Sequence, residues 1–129
     1  MPILTLPYPV STNRMHRRMG GRIVKSEDAA RYQRNARILA VQAGIKPLNG
    51  PIHLDVTLHP KKPARATKGA SVRSIDLSNS IKCAEDALNG IAWADDRQVE
   101  SLSARRGHPI TGGALIVRWN TMVETADHV

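Results

Sequence analysis

Apolar and polar residues alternate strictly from Ile52 to His59. Ile52, Leu54, Val56 and Leu58 take one side; His53, Asp55, Thr57 and His59 take the other. A period of two belongs to a strand with one buried face, so the segment predicts a half-buried strand with its histidines toward solvent. Upstream the period changes. Ala29, Tyr32, Ala36, Leu39, Ala40 and Ala43 recur at helical spacing and leave Arg31, Arg34 and Gln42 off the stripe. Ser26 is placed to cap this helix, Glu27 and Asp28 suit its first turn, and Gly44 can close it.

A second helix is predicted to start near Asp76 or Ser78. At about 100° per residue, Leu77, Ile81, Ala84, Leu88 and Ile91 fall within about 80° of one another, a stripe for a core. Ser78, Lys82, Glu85 and Asn89 share a second face about 60° wide, with Asp86 about 40° further round. Asn89-Gly90 can end the helix.

The remaining segments read as short strands. "ILTLPYP" is a strand ended by prolines, and Gly20-Gly21 is a hinge or hairpin turn before "RIVK". "QVESLSARRG" and "GALIVRWN" are two more strands around the turn "HPITGG". The order predicts one domain over residues 1–129, of α/β (α+β) class, with a mixed sheet flanked by helices. "KKPARATKGASVRS" has no apolar period and reads as a mobile basic loop over about residues 60–74. The tail from about residue 121 to 129 is expected to fray.

Charge changes the picture. The net charge is +8, but it is lopsided: 14 Lys and Arg against 3 Asp and Glu up to Ile75, then 5 against 8 from Asp76 onward. Five of the eleven carboxylates lie between Asp76 and Asp96. A basic chain points to a polyanionic partner. Aromatic content is 3% with no Phe, which excludes modules that stack bases on aromatic platforms and leaves the phosphate backbone as the target. Cys83 is the one cysteine, so no intrachain disulfide forms and a reducing compartment fits. No apolar run approaches the roughly eighteen residues of a membrane span, and "MPILTLPYPV" lacks the basic start of a signal peptide. A soluble, cytoplasmic protein is expected.

The acids gathered at Asp76, Glu85, Asp86, Asp95 and Asp96 would repel one another strongly unless a cation sat among them. Oxygen donors without sulfur favour Mg²⁺ or Mn²⁺. Beside a phosphodiester, such an ion polarises a phosphoryl oxygen and acidifies a bound water, and Lys82 could stabilise the developing charge. Each residue also has a plainer reading: Asp76 or Ser78 as a cap, Lys82 and Glu85 as a surface pair, Asp95-Asp96 as a turn.

"DLSNSIKCAEDALNGIAWADDRQV" resembles the signature of the RusA-type Holliday-junction resolvases: Asp-x-Asp-Asn, a lysine three residues on, an Asp-Ala-Leu helix, then Asp-Asp before a Gln-Val strand. Asp76, Asn79, Lys82, the "DALNG" run from Asp86 and Asp96 match in turn. "LPYPVSTNRM" is similar to the family's opening through Pro9, Ser11, Asn13 and Arg14. The resemblance implies a homodimeric endonuclease that needs a divalent metal, recognises four-way DNA junctions by shape and makes paired nicks in recombination and repair, in bacterial or phage settings. It implies Asp76, Lys82 and Asp96 as catalytic residues. The second family aspartate is Ser78 here, and Glu85 is the expected substitute, within about 20° of Ser78 around the helix. The expected metal set is thus Asp76, Asp96, Glu85 and Asp95. Arg14, Arg17, Arg18, Lys61, Lys62, Arg65, Lys68 and Arg73 are expected to contact branched DNA. Alternatives are a non-catalytic branched-DNA-binding protein with the same fold, favoured by Ser78, and a generic basic RNA-binding protein.

Overall fold

Four strands form one mixed sheet in the order β1 (Ile3–Leu6), β6 (Ala114–Thr121), β4 (Ile52–His59), β5 (Val99–Arg106). β6 runs antiparallel to both its neighbours, and β4 pairs with β5 in parallel. Parallel neighbours need a crossover, and the helix α2 (Leu77–Leu88) supplies it. Helix α1 (Glu27–Gln42) precedes β4 and packs against α2 and β1. The computed structural model describes residues 2–9, 16–19, 22–25, 27–62 and 76–122, with backbone alone for 16–19 and 22–25. Those two short segments, β2 (His16–Met19) and β3 (Arg22–Lys25), form an antiparallel ribbon with Met19 opposite Arg22, the register that a two-residue connection at Gly20-Gly21 predicts.

Both helices lie on one face of the sheet. Their buried residues, Ala29, Tyr32, Ala36 and Ala40 from α1 and Cys83, Ala84, Ala87 and Leu88 from α2, meet Leu4, Leu6, Leu54, Val56, Leu58, Leu115, Val117 and Trp119. The run of alanines lets two helices approach closely above one sheet. Tyr32 reaches across the α1–sheet junction, its hydroxyl donating to the Pro7 carbonyl at 2.7 Å. Burial, and then the nearby Cys83 thiol, push that hydroxyl's pKa well above its ordinary value. The α1 terminus is closed as expected. Gly44 has a φ of 75°, Ile45 N–H donates back to Ala40 O at 3.2 Å and Gly44 N–H to Val41 O at 3.0 Å. That is the Schellman arrangement, which only a residue at ease with positive φ completes without strain.

Three expectations need correction. β4 is buried on both faces, Asp55 and Thr57 included, because it sits between β5 and β6 and their long side chains cover its polar face. Ser103 Oγ donates to Asp55 Oδ1 at 2.6 Å, and Arg118 and Arg105 stand 3.6 and 4.0 Å from the same carboxylate. His53 and His59 are only part-exposed: His53 Nδ1 shares a 2.8 Å hydrogen bond with Ser101 Oγ, and His59 Nδ1 lies 2.9 Å from His108 O. On α2 the buried stripe is rotated from the expected one. Ser80, Cys83, Ala84, Ala87 and Leu88 are buried, whereas Leu77 and Ile81 are half-buried. Contact with α1 on one side turns Cys83 inward and leaves Leu77 and Ile81 at the opposite flank.

The start of the expected basic loop is pinned, since Lys62 N–H donates to Ile110 O at 2.8 Å, and residues 63–75 lie outside the described residues. At the other end, Thr121 still belongs to β6 and Met122 N–H donates to Pro51 O at 2.8 Å; residues 123–129 lie outside the described set. Ser26, the expected cap of α1, is also outside it. Among the described residues, no helix is long and apolar enough to cross a membrane.

Candidate active site

Helix α2 begins at Asp76. Its carbonyl accepts the N–H groups of Asn79 and Ser80 at 3.1 and 3.3 Å, but its carboxylate makes no capping hydrogen bond. The plain capping role is therefore not the one this side chain performs. Ser78 follows, exposed in the first turn. One turn later Lys82 Nζ stands 3.0 Å from Asp86 Oδ1, an i, i+4 pair that leaves the lysine largely in solvent. The hydrogen bond to Asp86, the charge of Asp86 and the further charges of Glu85 and Asp96 raise the Lys82 pKa, so the ammonium stays protonated throughout the neutral range.

The chain after α2 turns back sharply. Gly90 takes a φ of 84°, and Ile91 and Ala92 N–H both donate to Leu88 O at 2.9 Å. This turn drives Trp93 into the core, fully buried and edge-on to Trp119 at 6.4 Å between ring centres. From there Trp93 Nε1 donates to Asp96 Oδ1 at 2.9 Å. A buried ring on a fixed backbone thereby aims a part-exposed carboxylate.

Asp95 and Gln98 hold the same turn from its other side. The 3₁₀ turn Asp96–Gln98 is capped by Asp95, whose Oδ1 accepts Arg97 N–H at 2.9 Å and whose Oδ2 lies 3.3 Å from Arg97 Nη2. The Arg97 backbone N–H, and then its guanidinium, lower the Asp95 pKa. Gln98 Oε1 accepts from Ala94 and Asp95 N–H at 2.8 and 3.0 Å, and Gln98 Nε2 donates to Leu48 O and Gly50 O at 2.9 Å each. One amide side chain thus ties the turn to the segment leading into β4. Sequence reasoning missed both Trp93 and Gln98. Their signal was position alone, three residues before and two after Asp96.

Of the expected site residues, the structure brings Lys82, Glu85 and Asp96 within electrostatic reach of one another, with Asp86 beside them. Burial, and then the charge of Asp96, raise the Glu85 pKa, with Lys82 partly opposing and Asp86 adding to it. Asp76 is not brought to this group. At 1.5 Å per residue it lies roughly 13 Å from Glu85 along the helix. Among the described residues, no three His, Cys, Asp or Glu side chains stand close enough together to ligate one ion. Asp95 takes the capping role just described.

Of the expected DNA contacts, Lys61 and Lys62 are exposed beside the end of β4, and Lys61 Nζ lies 5.1 Å above the Tyr8 ring. Arg17 and Arg18 fall on β2, and Arg14, Arg65, Lys68 and Arg73 lie outside the described residues.

The family model described as endodeoxyribonuclease RusA matches residues 7–118, a span that holds both the Pro9–Arg14 motif and the Asp76–Asp96 segment. No curated protein matches the chain.

Proposed function

The chain belongs to the endodeoxyribonuclease RusA family, and from that premise we propose that it is a structure-selective, divalent-metal-dependent endonuclease that resolves four-way DNA junctions by paired nicks, acting as a homodimer in recombination and repair. The observation that carries this reading is the electrostatic group formed by Lys82, Glu85 and Asp96 in a chain of net charge +8. A twofold dimer suits a branched substrate with approximate twofold symmetry, one site to each strand.

The donor chemistry fits a hard divalent cation. Burial, and then the charge of Asp96, raise the Glu85 pKa, and a cation between the two carboxylates would relieve their repulsion. Glu85 and Asp96 would hold Mg²⁺ or Mn²⁺ between them, with Asp76 standing apart at the head of α2. When bound, such an ion supplies charge neutralisation at the scissile phosphate and acidifies a water. The chain does the rest. Lys82 Nζ, held protonated, stabilises negative charge on the phosphoryl or leaving oxygen. Trp93 keeps Asp96 oriented toward the site. Lys61 and Lys62 contribute backbone contacts that read shape and charge rather than sequence.

A second reading is a junction-binding relative without cleavage. It is favoured by the exposed neutral Ser78 and by the distance between Asp76 and the Glu85–Asp96 group. Strand cleavage of a labelled mobile four-way junction, with Mg²⁺, Mn²⁺ or EDTA, separates the two. Paired nicks that need metal and vanish in Asp96→Asn are expected. Tight junction binding without nicks under every metal condition would establish the second reading instead.

A further inference from the structure

β5 is the outer strand of the four-stranded sheet, with β4 on one side and no strand on the other among the described residues. Natural edge strands guard against pairing by placing a charge or proline in mid-strand. β5 does not. Its middle, Ser101 to Ala104, is uncharged, and its charges, Glu100, Arg105 and Arg106, stand at the two ends. Within β5 the side chain most at odds with solvent is Leu102, 46% exposed on the helix-bearing face, where it pairs in register with the buried Leu54. Ala104, the next residue on that face, is exposed beside Val56.

Helix α2 extends the same patch. Its Cys83–Asp86 flank faces α1, since Gln33 Nε2 and Arg37 Nη1 donate to Asp86 O at 3.1 and 3.3 Å. Turned at about 100° per residue, Leu77 and Ile81 lie on the opposite flank, toward β5. Both are half-buried although they were expected to be core residues. Leu77, Ile81, Leu102 and Ala104 therefore form one apolar strip along the open edge of the sheet.

We propose that this edge is the surface on which a second copy of the chain docks, with β5 pairing antiparallel to β5 of the partner copy across a twofold axis at Ser103. The proposal rests on the homodimeric part of the function above and on none of its chemistry. The register follows from symmetry and charge. A twofold axis perpendicular to a sheet must set some residue opposite its own copy, because directly opposed residues share a face. With Ser103 on the axis, Leu102 falls opposite Ala104 and Glu100 opposite Arg106 on the helix-bearing face, and Ser101 falls opposite Arg105 on the other face. Axes at the neighbouring residues do worse. Leu102 on the axis sets Glu100 against Ala104, and Ala104 on the axis sets Leu102 against Arg106. Only the Ser103 register makes an apolar contact and an opposite-charge pair together, twice over by symmetry. The partner is thus a second copy rather than an unrelated strand, which would have no reason to carry the complementary pattern. The result is a continuous eight-stranded sheet with both α2 flanks covered, in which the open edge of β5 is paired and β1 is the outer strand at each end.

The test uses the full chain. Sedimentation or light scattering gives the oligomeric state of the parent and of Leu102→Arg, and mild oxidation follows Ser103→Cys and Leu102→Cys. The parent should be a dimer, weakened by about a hundredfold in Leu102→Arg, where each new arginine would be buried without an acidic partner against Ala104 of the other copy. Ser103→Cys should form a disulfide-linked dimer, because opposed residues lie about 4.5–5.5 Å apart at Cα, within disulfide reach. Leu102→Cys should not. The native Cys83 is buried and does not compete. Circular dichroism checks that the variants fold, because Ser103→Cys also gives up its hydrogen bond to Asp55. A monomeric parent overturns this interface and the homodimeric reading together. A parent dimer that Leu102→Arg leaves intact and Ser103→Cys fails to link overturns this interface alone, and cross-linking through position 102 instead of 103 overturns the register.

Discussion

The indole N–H of Trp93 is joined to Asp96 Oδ1 at 2.9 Å, with the ring fully buried and the acid part-exposed. Trp93 thus performs two tasks, packing against Trp119 and orienting a carboxylate, and Trp93→Phe separates them. Phenylalanine keeps most of the apolar contact but has no donor. The expected cost in stability is about 1.5–3 kcal/mol, the range for a hydrogen bond to a charged group. Nicking of a four-way junction should fall by at least about tenfold and recover partly at high Mg²⁺, because a loosened ligand weakens metal affinity. Urea unfolding and a Mg²⁺ titration of the cleavage rate read the two effects separately. Equal losses at all Mg²⁺ concentrations would count against an orienting role.

Glu85 gives a pH signature with a definite sign. Burial and the charge of Asp96 raise its folded pKa, so the folded chain holds that proton more tightly than the unfolded chain. Its stabilising effect is therefore complete below the ordinary glutamate range and is lost as pH rises through the raised folded value. Glu85→Gln removes the ionisation. Without metal, the variant should melt above the parent at neutral pH, and the difference should close near about pH 3, where both side chains are neutral. The gain is a few tenths of a kcal/mol, because the group is part-exposed and solvent screens it. Adding Mg²⁺ should raise the parent's melting temperature more than the variant's.

Gln98 makes four hydrogen bonds, two accepted from Ala94 and Asp95 and two donated to Leu48 and Gly50. Gln98→Ala should cost about 2–3 kcal/mol, since each bond contributes on the order of 0.5–1.5 kcal/mol and some of the freed backbone groups reach water. Hydrogen exchange should quicken at Ala94 and Asp95 more than in β4. Unchanged exchange there would show that the turn holds without its tie.

Local chemistry was well marked along the chain, and side-by-side chemistry was not. The α1 stripe and its Gly44 terminus were legible because helical periodicity and a positive-φ residue act within a few positions of each other. Lys82, Glu85 and Asp96 were legible as a charged group because two of them share a helix face. The burial of Asp55 was not. Alternation shows which way a side chain points but not whether arginines from β5 and β6 will cover it. Leu77 and Ile81 were misplaced for a related reason: the pattern gives a helix an apolar side, but α1 decides how far that side is rotated. Trp93 and Gln98 read as core and strand residues, and their polar atoms acquired a role only when the turn at Gly90 brought Asp96 and Leu48 within reach.

Ser78 is where the chain departs from the family signature, and restoring the acid tests what that departure does. In the structure Ser78 is exposed in the first turn of α2, two residues after Asp76, whose carboxylate is not used in capping. Ser78→Asp places a second carboxylate at a helix N-terminus, where the dipole favours negative charge, so stability should hold or rise by about 0.3–1 kcal/mol. Its effect on activity depends on where the ion sits. If Asp76 anchors metal at the head of α2, a carboxylate beside it should lower the Mg²⁺ concentration for half-maximal nicking by about tenfold, one added anionic ligand being worth on the order of 1.4 kcal/mol. If Glu85 and Asp96 hold the ion further down the helix, Ser78→Asp should leave the Mg²⁺ requirement unchanged, and Glu85→Gln should raise it. Combining the two substitutions decides the matter. Recovery of nicking in Glu85→Gln when Ser78→Asp is added would show that the two acids substitute for one another. No recovery would assign the ion to Glu85 and Asp96 and leave Asp76 a separate part in binding the substrate.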